Sequence, residues 1–257
     1  MSLIKALTYQ ALEAVTLGRG VKRRIGGEIV RFPARWSRYY PSEYEPETFD
    51  FLQKHLKKGA TVLDIGAHIG LFSIIAARLV GEKGKVFSFE PTPFTRSVLS
   101  KVVELNNCTE IIEVRDEAVS DAKGTATFYD TGDSEVSNAN SLVKTARSRG
   151  EIEIQLTTVD DFAEENGLKI DCLKIDVEGA ELDLLRGASK TFLNNRPIAH
   201  LSLHPAMITE KKQSLVEIWD LLETYQLKVL YKDKPVDKDW FCGQKDLFDV
   251  CLFPVKP

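Results

Sequence analysis

The chain has 257 residues, which suffices for one large α/β domain or for two small ones. Hydrophobic residues make up 43% of it and charged residues 28%, a balance typical of soluble globular proteins. A net charge of −4 argues against a protein that coats nucleic acid, and no apolar run approaches the ~20 residues that a membrane-spanning helix requires.

The chain begins with MSLIKALTYQALEAV, in which apolar residues recur at helical spacing. This pattern predicts an amphipathic helix and is not typical of a secretory signal. Such a helix packs on the body of the protein, or it lies against a membrane or a partner. The sequence leaves these alternatives open.

A basic and aromatic stretch follows, GRGVKRRIGGEIVRFPARWSRYYPSE. Before Ser42, its seven Arg and Lys residues face a single acid, Glu28. It is either a solvated connector, or a lid or surface for an anionic substrate. We therefore separate residues 1–43, an N-terminal helix and basic lid segment, from a main domain at 44–257.

From Glu47 onward, helices and strands alternate regularly. TFDFLQKHL, LFSIIAARLV and FTRSVLSKVVELN have the period of helices, whereas VLDIG, VFSFE and IIEV are typical of strands. Such alternation implies parallel strands joined by right-handed crossovers. We therefore predict an α/β fold with a doubly wound sheet.

The second half of the chain interrupts this rhythm before it resumes. EAVSDAKGTATFYD predicts two strands around a turn. Asp130–Glu151 is polar and aperiodic, and we predict that Asp130–Arg149 within it is a mobile lid over an acceptor pocket. EIQLTTVDDF, DCLKIDV and PIAHLSLH then predict strands, with helices at GAELDLLRGA and SLVEIWDLLETY. LKVLYK and DLFDVCLF close the fold as an antiparallel pair of strands.

The stretch TVLDIGAHIG, at Thr61–Gly70, has the glycines expected between a strand and a ligand-binding helix. Its spacing is D-x-G-x-x-x-G, not the G-x-G-x-x-G of nicotinamide-binding folds. The carboxylate of Asp64 would repel a pyrophosphate, but it suits an ammonium group such as that of S-adenosylmethionine. We predict that Asp64, Gly66, Ala67 and Gly70 bind this cofactor.

Two further acidic positions extend the predicted cofactor site. Glu90 ends the second strand, where an acid accepts hydrogen bonds from both ribose hydroxyls; the alternative is an acid placed at the start of a helix. In VRDEAVSD, Asp116 or Glu117 lies where an adenine amino group would be recognised. Acids are also common in turns, so the alternative that Asp116 and Glu117 are only turn residues stays open.

The stretch KIDVEGAE predicts the catalytic centre. Asp176 ends a strand in the crevice, Glu178 begins the turn into a helix, and His204 ends the next strand. Lys174, inside the strand, needs a carboxylate partner or a route to water. The acids and the histidine could remove a proton from a hydroxyl, which we favour, or bind a divalent metal. We expect His204 to be the base, Glu178 to be catalytic or a helix cap, and His200 to be structural.

These motifs together resemble the FkbM family of S-adenosylmethionine-dependent methyltransferases. VLDIGAHIGLFS, FSFEP, AVSDAKG, SNANSL, LTTVDDF and LKIDVEGAELDLLRGA occur in this order between Tyr44 and Pro205. The resemblance implies a class I methyltransferase (Rossmann-like) fold with a seven-stranded sheet whose last strand is antiparallel. It also implies methylation of a hydroxyl oxygen, on a sugar, glycan or other small-molecule acceptor.

The resemblance also assigns roles to individual residues. Asp64, Gly66 and Gly70 match the cofactor loop, Glu90 the ribose ligand and Asp116 the adenine contact. Asp176, Glu178 and His204 match the acids and the histidine of the family's crevice. Asp176 could also contact the cofactor. YEPET, at Tyr44–Thr48, matches the segment before the first strand and is expected near the methionine end of the cofactor.

Three rival functions differ in class from this one. A nicotinamide oxidoreductase lacks support in the glycine spacing, and a non-catalytic S-adenosylmethionine-binding scaffold would not need the crevice acids and histidine. A nucleic-acid methyltransferase disagrees with the acidic charge balance, so we expect no nucleic-acid partner.

The four cysteines show no CxxC pairing and predict free thiols in a reducing, cytoplasmic compartment. A homo-oligomer is compatible with the sequence.

Overall fold

The computed structural model describes residues 3–130 and 150–255. The N-terminal part consists of helix α1 (Leu3–Val15) and the antiparallel hairpin of β1 (Val21–Ile25) and β2 (Glu28–Phe32), followed by a short 3-10 turn. Sequence analysis predicted the helix but not the hairpin. The hairpin's cations obscure the alternation that buries Ile25, Val30 and Phe32 in the core.

The first half of the main domain follows the predicted alternation. It comprises α2 (Pro46–His55), β3 (Thr61–Ile65), α3 (Leu71–Val80), β4 (Lys85–Phe89), α4 (Pro93–Leu105) and β5 (Ile112–Arg115). The three strands pair in parallel, so each helix returns the chain to the same end of the sheet.

A separate three-stranded sheet interrupts the alternation. It contains β6 (Ala118–Val119), β7 (Gly124–Asp130) and β8 (Gly150–Thr157), and helix α5 (Val159–Glu165) follows. The two strands predicted around the turn are present, but each pairs with β8 and not with the other. The predicted lid, Asp130–Arg149, lies outside the described residues except for Asp130.

The second half of the main domain completes the central sheet. It comprises β9 (Cys172–Ile175), α6 (Glu181–Arg186), β10 (Ile198–Leu203), α7 (Pro205–Glu210), α8 (Leu215–Thr224), β11 (Leu227–Tyr231), β12 (Lys234–Pro235), α9 (Lys238–Cys242) and β13 (Phe248–Pro254). A π-helical turn, Thr191–Asn195, precedes β10.

The order of strands in the central sheet is β12-β11-β13-β10-β9-β3-β4-β5. The last strand, β13, runs antiparallel to both of its neighbours, as predicted. The sheet has the seven predicted strands and an additional two-residue strand, β12, at its edge. Two large apolar clusters cover the sheet, and the carboxyl ends of β3, β4, β9 and β10 meet at one edge. Within residues 3–130 and 150–255, no helix is both long and apolar enough to cross a membrane.

Candidate active site

A cavity opens at the carboxyl ends of β3, β4 and β9. The walls come from the loop after β3, the end of β4, the turn after β9, the start of β6 and the segment before α2. This is the edge of the sheet at which sequence analysis placed the ligand.

The glycine loop brings the ends of two strands into close contact. Gly66 has φ +80°, and a Cβ at this position would lie 1.8 Å from the carbonyl oxygen of Asp176. Gly70 has φ +86°, and its Cβ would lie 2.3 Å from the Leu99 side chain. Both glycines therefore permit packing that a side chain would block, while Ala67 between them lines the cavity.

Glu90 connects the glycine loop to the end of β4. Its carboxylate accepts hydrogen bonds from the backbone N–H groups of His68, at 3.0 Å, and Thr92, at 2.9 Å. Burial raises the pKa of Glu90 to about 7, against the effect of these hydrogen bonds. The side chain lines the cavity at the position expected of a ribose ligand.

The two candidates for the adenine contact differ in their position relative to the cavity. Glu117 lines the cavity, whereas Asp116 is exposed and does not. Arg115 lies 2.6 Å from the Glu117 carboxylate. Burial would raise the pKa of Glu117, but the hydrogen bonds from Arg115 outweigh it and lower that pKa.

Asp64 lies beneath the glycine loop and not in the cavity wall. Only 1% of this residue is exposed, and its Oδ2 accepts a hydrogen bond from Ser73 at 2.5 Å. Burial raises the pKa of Asp64 despite the opposing effect of Lys174. In the described geometry the Asp64 carboxylate has a cationic partner within the protein. A direct contact between Asp64 and the ammonium group of a cofactor remains a prediction.

That partner is Lys174, which is buried inside β9. Its Nζ lies 3.3 Å from Asp176 Oδ2, 4.0 Å from Asp64 Oδ1 and 3.5 Å from the carbonyl oxygen of Gly66. Burial would lower the pKa of Lys174, but the neighbouring carboxylates, Asp176 first, raise it above its ordinary value. The carboxylate partner that sequence analysis required for this lysine is present.

The three predicted catalytic residues lie at the same edge of the sheet. Asp176 Oδ1 is 3.7 Å from His204 Nε2, and both Asp176 and Glu178 line the cavity. Glu178 has φ +45°, in the left-handed region that non-glycine residues rarely adopt. Burial and the charge of Asp176 raise the pKa of Glu178 to about 8.

His204 lies behind this wall and does not line the cavity. Its Nδ1 is 2.7 Å from Oε1 of Glu181, a fully buried residue whose same oxygen accepts the N–H of Gly179. Burial would lower the pKa of His204, but the hydrogen bond with Glu181 and the neighbouring carboxylates raise it.

Sequence analysis quoted Glu181 in KIDVEGAE but assigned it no role. Its position on the buried apolar face of α6, beside Leu184 and Leu185, is the signal that could have identified it.

Aromatic side chains from the N-terminal half form the opposite wall. Tyr40 OH lies 2.9 Å from His68 Nδ1, and Tyr44 stacks on Phe72 with ring centroids 6.2 Å apart. Burial lowers the pKa of His68 to about 3, so this imidazole is neutral. Glu45 of the YEPET segment also lines the cavity, and the expected position of this segment near the methionine end of the cofactor stays a prediction.

His200 does not line this cavity. It is fully buried, with Nε2 3.4 Å from Thr48 Oγ1, and burial lowers its pKa to about 4. This environment agrees with the structural role expected of it.

In the described part of the chain, no group of three or more His, Cys, Asp or Glu residues is arranged to hold a metal ion.

Comparison with known proteins adds to this geometry. A model of the FkbM methyltransferase domain matches residues 64–229, which span the strands that carry the cavity. The chain belongs to the FkbM methyltransferase family. The resemblance stated from the motifs is thereby confirmed.

Curated methyltransferases are similar to parts of the chain. Methyltransferase sdnD from Sordaria araneosa is 30% identical over 53% of this chain, and Methyltransferase 1 from Beauveria bassiana is 29% identical over 49%. The matches span 63% and 57% of the lengths of these two proteins. The 2-O-methyltransferase NoeI from Sinorhizobium fredii is 28% identical over 66% of this chain and 74% of its own.

The fold of a solved structure agrees with the fold predicted for this FkbM protein. A Clostridium thermocellum protein described as an rRNA methylase aligns with a TM-score of 0.50 at 12% identity, over 82% of this chain and 94% of its own. A methyltransferase FkbM from Methylobacillus flagellatus KT aligns with a TM-score of 0.49 at 16% identity, over 81% and 50% of the two chains. At such identities the likeness concerns the fold alone.

Proposed function

We propose that this FkbM protein transfers a methyl group from S-adenosylmethionine to a hydroxyl oxygen of a small-molecule or glycan acceptor. Membership of a methyltransferase family supports the reaction class, and the 2-O-methyltransferase NoeI supports oxygen as the acceptor atom. The observation that carries the proposal is that one cavity contains both the acid predicted to bind the cofactor and two acids predicted to be catalytic. Glu90 lies at the end of β4, and Asp176 and Glu178 follow β9.

The residues of the cavity fit the cofactor. Ionised Glu90 accepts hydrogen bonds from ribose hydroxyls, and Glu117 accepts one from an adenine amino group. Phe89, Val119, Tyr44 and Glu45 line the cavity. In this proposal Phe89 and Val119 contact the purine ring, and Tyr44 and Glu45 contact the methionine end. When bound, S-adenosylmethionine supplies a methyl group on a sulfonium that needs no further activation.

The remaining work of the protein is to orient the acceptor and to remove one proton. We assign the removal of this proton to Glu178, because its carboxyl group lines the cavity. Its raised pKa makes the ionised form a stronger base than an ordinary carboxylate. Lys174 keeps Asp176 ionised, so that it can accept a hydrogen bond from the acceptor hydroxyl.

This assignment differs from the expectation that His204 is the base. Glu181 accepts a hydrogen bond from Nδ1 when that nitrogen is protonated, so it orients the ring with Nε2 toward Asp176. The neighbouring carboxylates also favour the imidazolium, which cannot accept a proton. In this proposal His204 positions Asp176 from behind the cavity wall.

Glu90→Ala should weaken the binding of S-adenosylmethionine and S-adenosylhomocysteine by about 10–150-fold. This range corresponds to about 1.5–3 kcal/mol for hydrogen bonds to a charged group. Because the pKa of Glu90 is about 7, the affinity of the unmodified protein should rise with pH through neutrality as the carboxylate forms. Calorimetric titrations across this pH range measure both effects.

The matched control for this experiment is Glu82→Ala, which removes an exposed acid after α3. It should keep the affinity and its pH dependence. Unchanged affinity in the Glu90→Ala variant, with the fold intact by circular dichroism, would refute the role of Glu90 as the ribose ligand.

A further inference from the structure

The geometry points to a second functional surface on the N-terminal hairpin and the end of α1, which docks on an anionic membrane surface. We call it the basic hairpin face, and it comprises Leu12, Val15, Leu17, Arg19, Lys22, Arg24, Ile29 and Arg31. It lies outside the active-site cavity, and the inference does not rest on the proposed methyl transfer.

The pairing of the hairpin places three of its four cations on the side away from the core, and Arg23, opposite Val30, lies on the other side. Lys22 is opposite Arg31, and Arg24 is opposite Ile29. Residues that face each other across an antiparallel pair share one side of the ribbon, so these four side chains lie together. The other side of the hairpin faces the core, where Val30 is fully buried.

These cations are not neutralised within the described part of the chain. The guanidinium of Arg24 donates to the carbonyl oxygen of Gly27, and that of Arg31 donates to the carbonyl oxygen of Arg19. No ion pair with a described carboxylate involves Arg19, Lys22, Arg24 or Arg31.

The nearby acids are engaged elsewhere. Glu28, the only acid between Thr16 and Ser42, lies 3.4 Å from Arg78 on α3. Glu13 accepts a hydrogen bond from the backbone N–H of Ala34. The face is therefore strongly positive on a protein whose net charge is −4.

Exposed apolar side chains lie beside these charges. Val15 is 80% exposed, Leu17 is 79% exposed and Ile29 is 42% exposed. Leu17 lies two residues before Arg19, whose carbonyl oxygen binds Arg31, so the apolar and basic parts adjoin. Exposed aliphatic side chains that lie near one another mark a surface that contacts another molecule or a membrane.

A membrane fits this combination better than a nucleic acid does. Anionic headgroups attract Lys and Arg near the bilayer, and aliphatic side chains enter the boundary between headgroups and acyl chains. Phosphates of a nucleic acid would bind the cations but would leave Val15 and Leu17 exposed to water. We therefore commit to a lipid surface that contains anionic headgroups.

Vesicle co-sedimentation of the full chain tests this proposal. The protein should sediment with phosphatidylcholine vesicles that contain phosphatidylserine, but not with pure phosphatidylcholine, and high salt should weaken the binding. The variant Lys22→Glu/Arg24→Glu/Arg31→Glu should lose at least about 100-fold in vesicle affinity, since each cation near the surface contributes severalfold. Val15→Asp/Leu17→Asp should also lose binding although its cations remain.

The matched control is Lys57→Glu/Lys58→Glu, which reverses two exposed cations between α2 and β3 and should keep vesicle binding. All variants should retain the circular dichroism spectrum of the unmodified chain. Equal binding to neutral and anionic vesicles, or to neither, overturns the proposal. So does tight binding of tRNA that depends on the three cations but is indifferent to Val15→Asp/Leu17→Asp.

Discussion

Glu178→Gln should lower the turnover number for methyl transfer by about 10²–10⁴-fold, with little change in cofactor affinity. The amide keeps the size of the side chain but cannot accept the proton of the acceptor hydroxyl. Because the pKa of Glu178 is about 8, the rate of the unmodified protein should rise as the pH passes through this value. The Gln variant should lose that rise.

The assay follows a labelled methyl group from S-adenosylmethionine into glycans, glycolipids and phenols, with tRNA as the comparison. Glu210→Gln, which alters an exposed acid at the end of α7, is the matched control and should remain active. Near-normal turnover of Glu178→Gln together with inactive His204→Ala would instead make the histidine the base. Activity that a chelator removes and Mg²⁺ restores would favour a metal site over the proton-transfer account.

The same substitution should also change how the stability of the protein depends on pH. Between the ordinary pKa of 4.5 and the folded value of about 8, native Glu178 holds a proton that the unfolded chain releases. The free energy of unfolding therefore falls as the pH rises through this window. Thermal unfolding of Glu178→Gln should show a growing gain over the unmodified protein from pH ~5 to pH ~8.

Lys174→Met should destabilise the fold by about 3–5 kcal/mol, the usual cost of removing one partner from a buried ion pair. The substitution leaves the carboxylates of Asp64 and Asp176 without their shared cation. The buried Asp64 and the partly buried Asp176 would have to be protonated or remain charged without a cation beside them. The loss should therefore be smaller near pH 5 than near pH 8, as denaturant unfolding at the two pH values would measure.

Two comparisons make this result specific. Lys83→Met, at an exposed position before β4, should change the free energy of unfolding by less than about 0.5 kcal/mol. Lys174→Met/Asp64→Asn should recover part of the lost stability, because it removes one of the two stranded charges. A loss below about 1 kcal/mol in Lys174→Met would show that the buried carboxylates do not depend on this lysine.

The fold was predictable where hydrophobic periodicity alone decides the structure. VLDIG and VFSFE are buried on both faces, so their apolar runs indicate parallel strands directly. Pairing partners are less visible, because β6 and β7 each pair with β8, whose sequence lies beyond a long insertion. The N-terminal hairpin was missed because four of the ten residues in its two strands are cations.

The candidate site shows the same division. The positions of Glu90, Asp176 and Glu178 follow from strand ends, which a sequence marks clearly. Orientation within the site does not follow from them: Asp64 faces Lys174 beneath the loop, and His204 lies behind the wall. These details depend on which buried charges find partners in three dimensions.

The most direct test of the central claim is a calorimetric titration of the unmodified protein with S-adenosylmethionine, S-adenosylhomocysteine and NAD⁺. The account predicts that both sulfur cofactors bind with one site per chain and compete with each other, while NAD⁺ releases no heat of binding. Saturable binding of NAD⁺ with no response to either sulfur cofactor would contradict it.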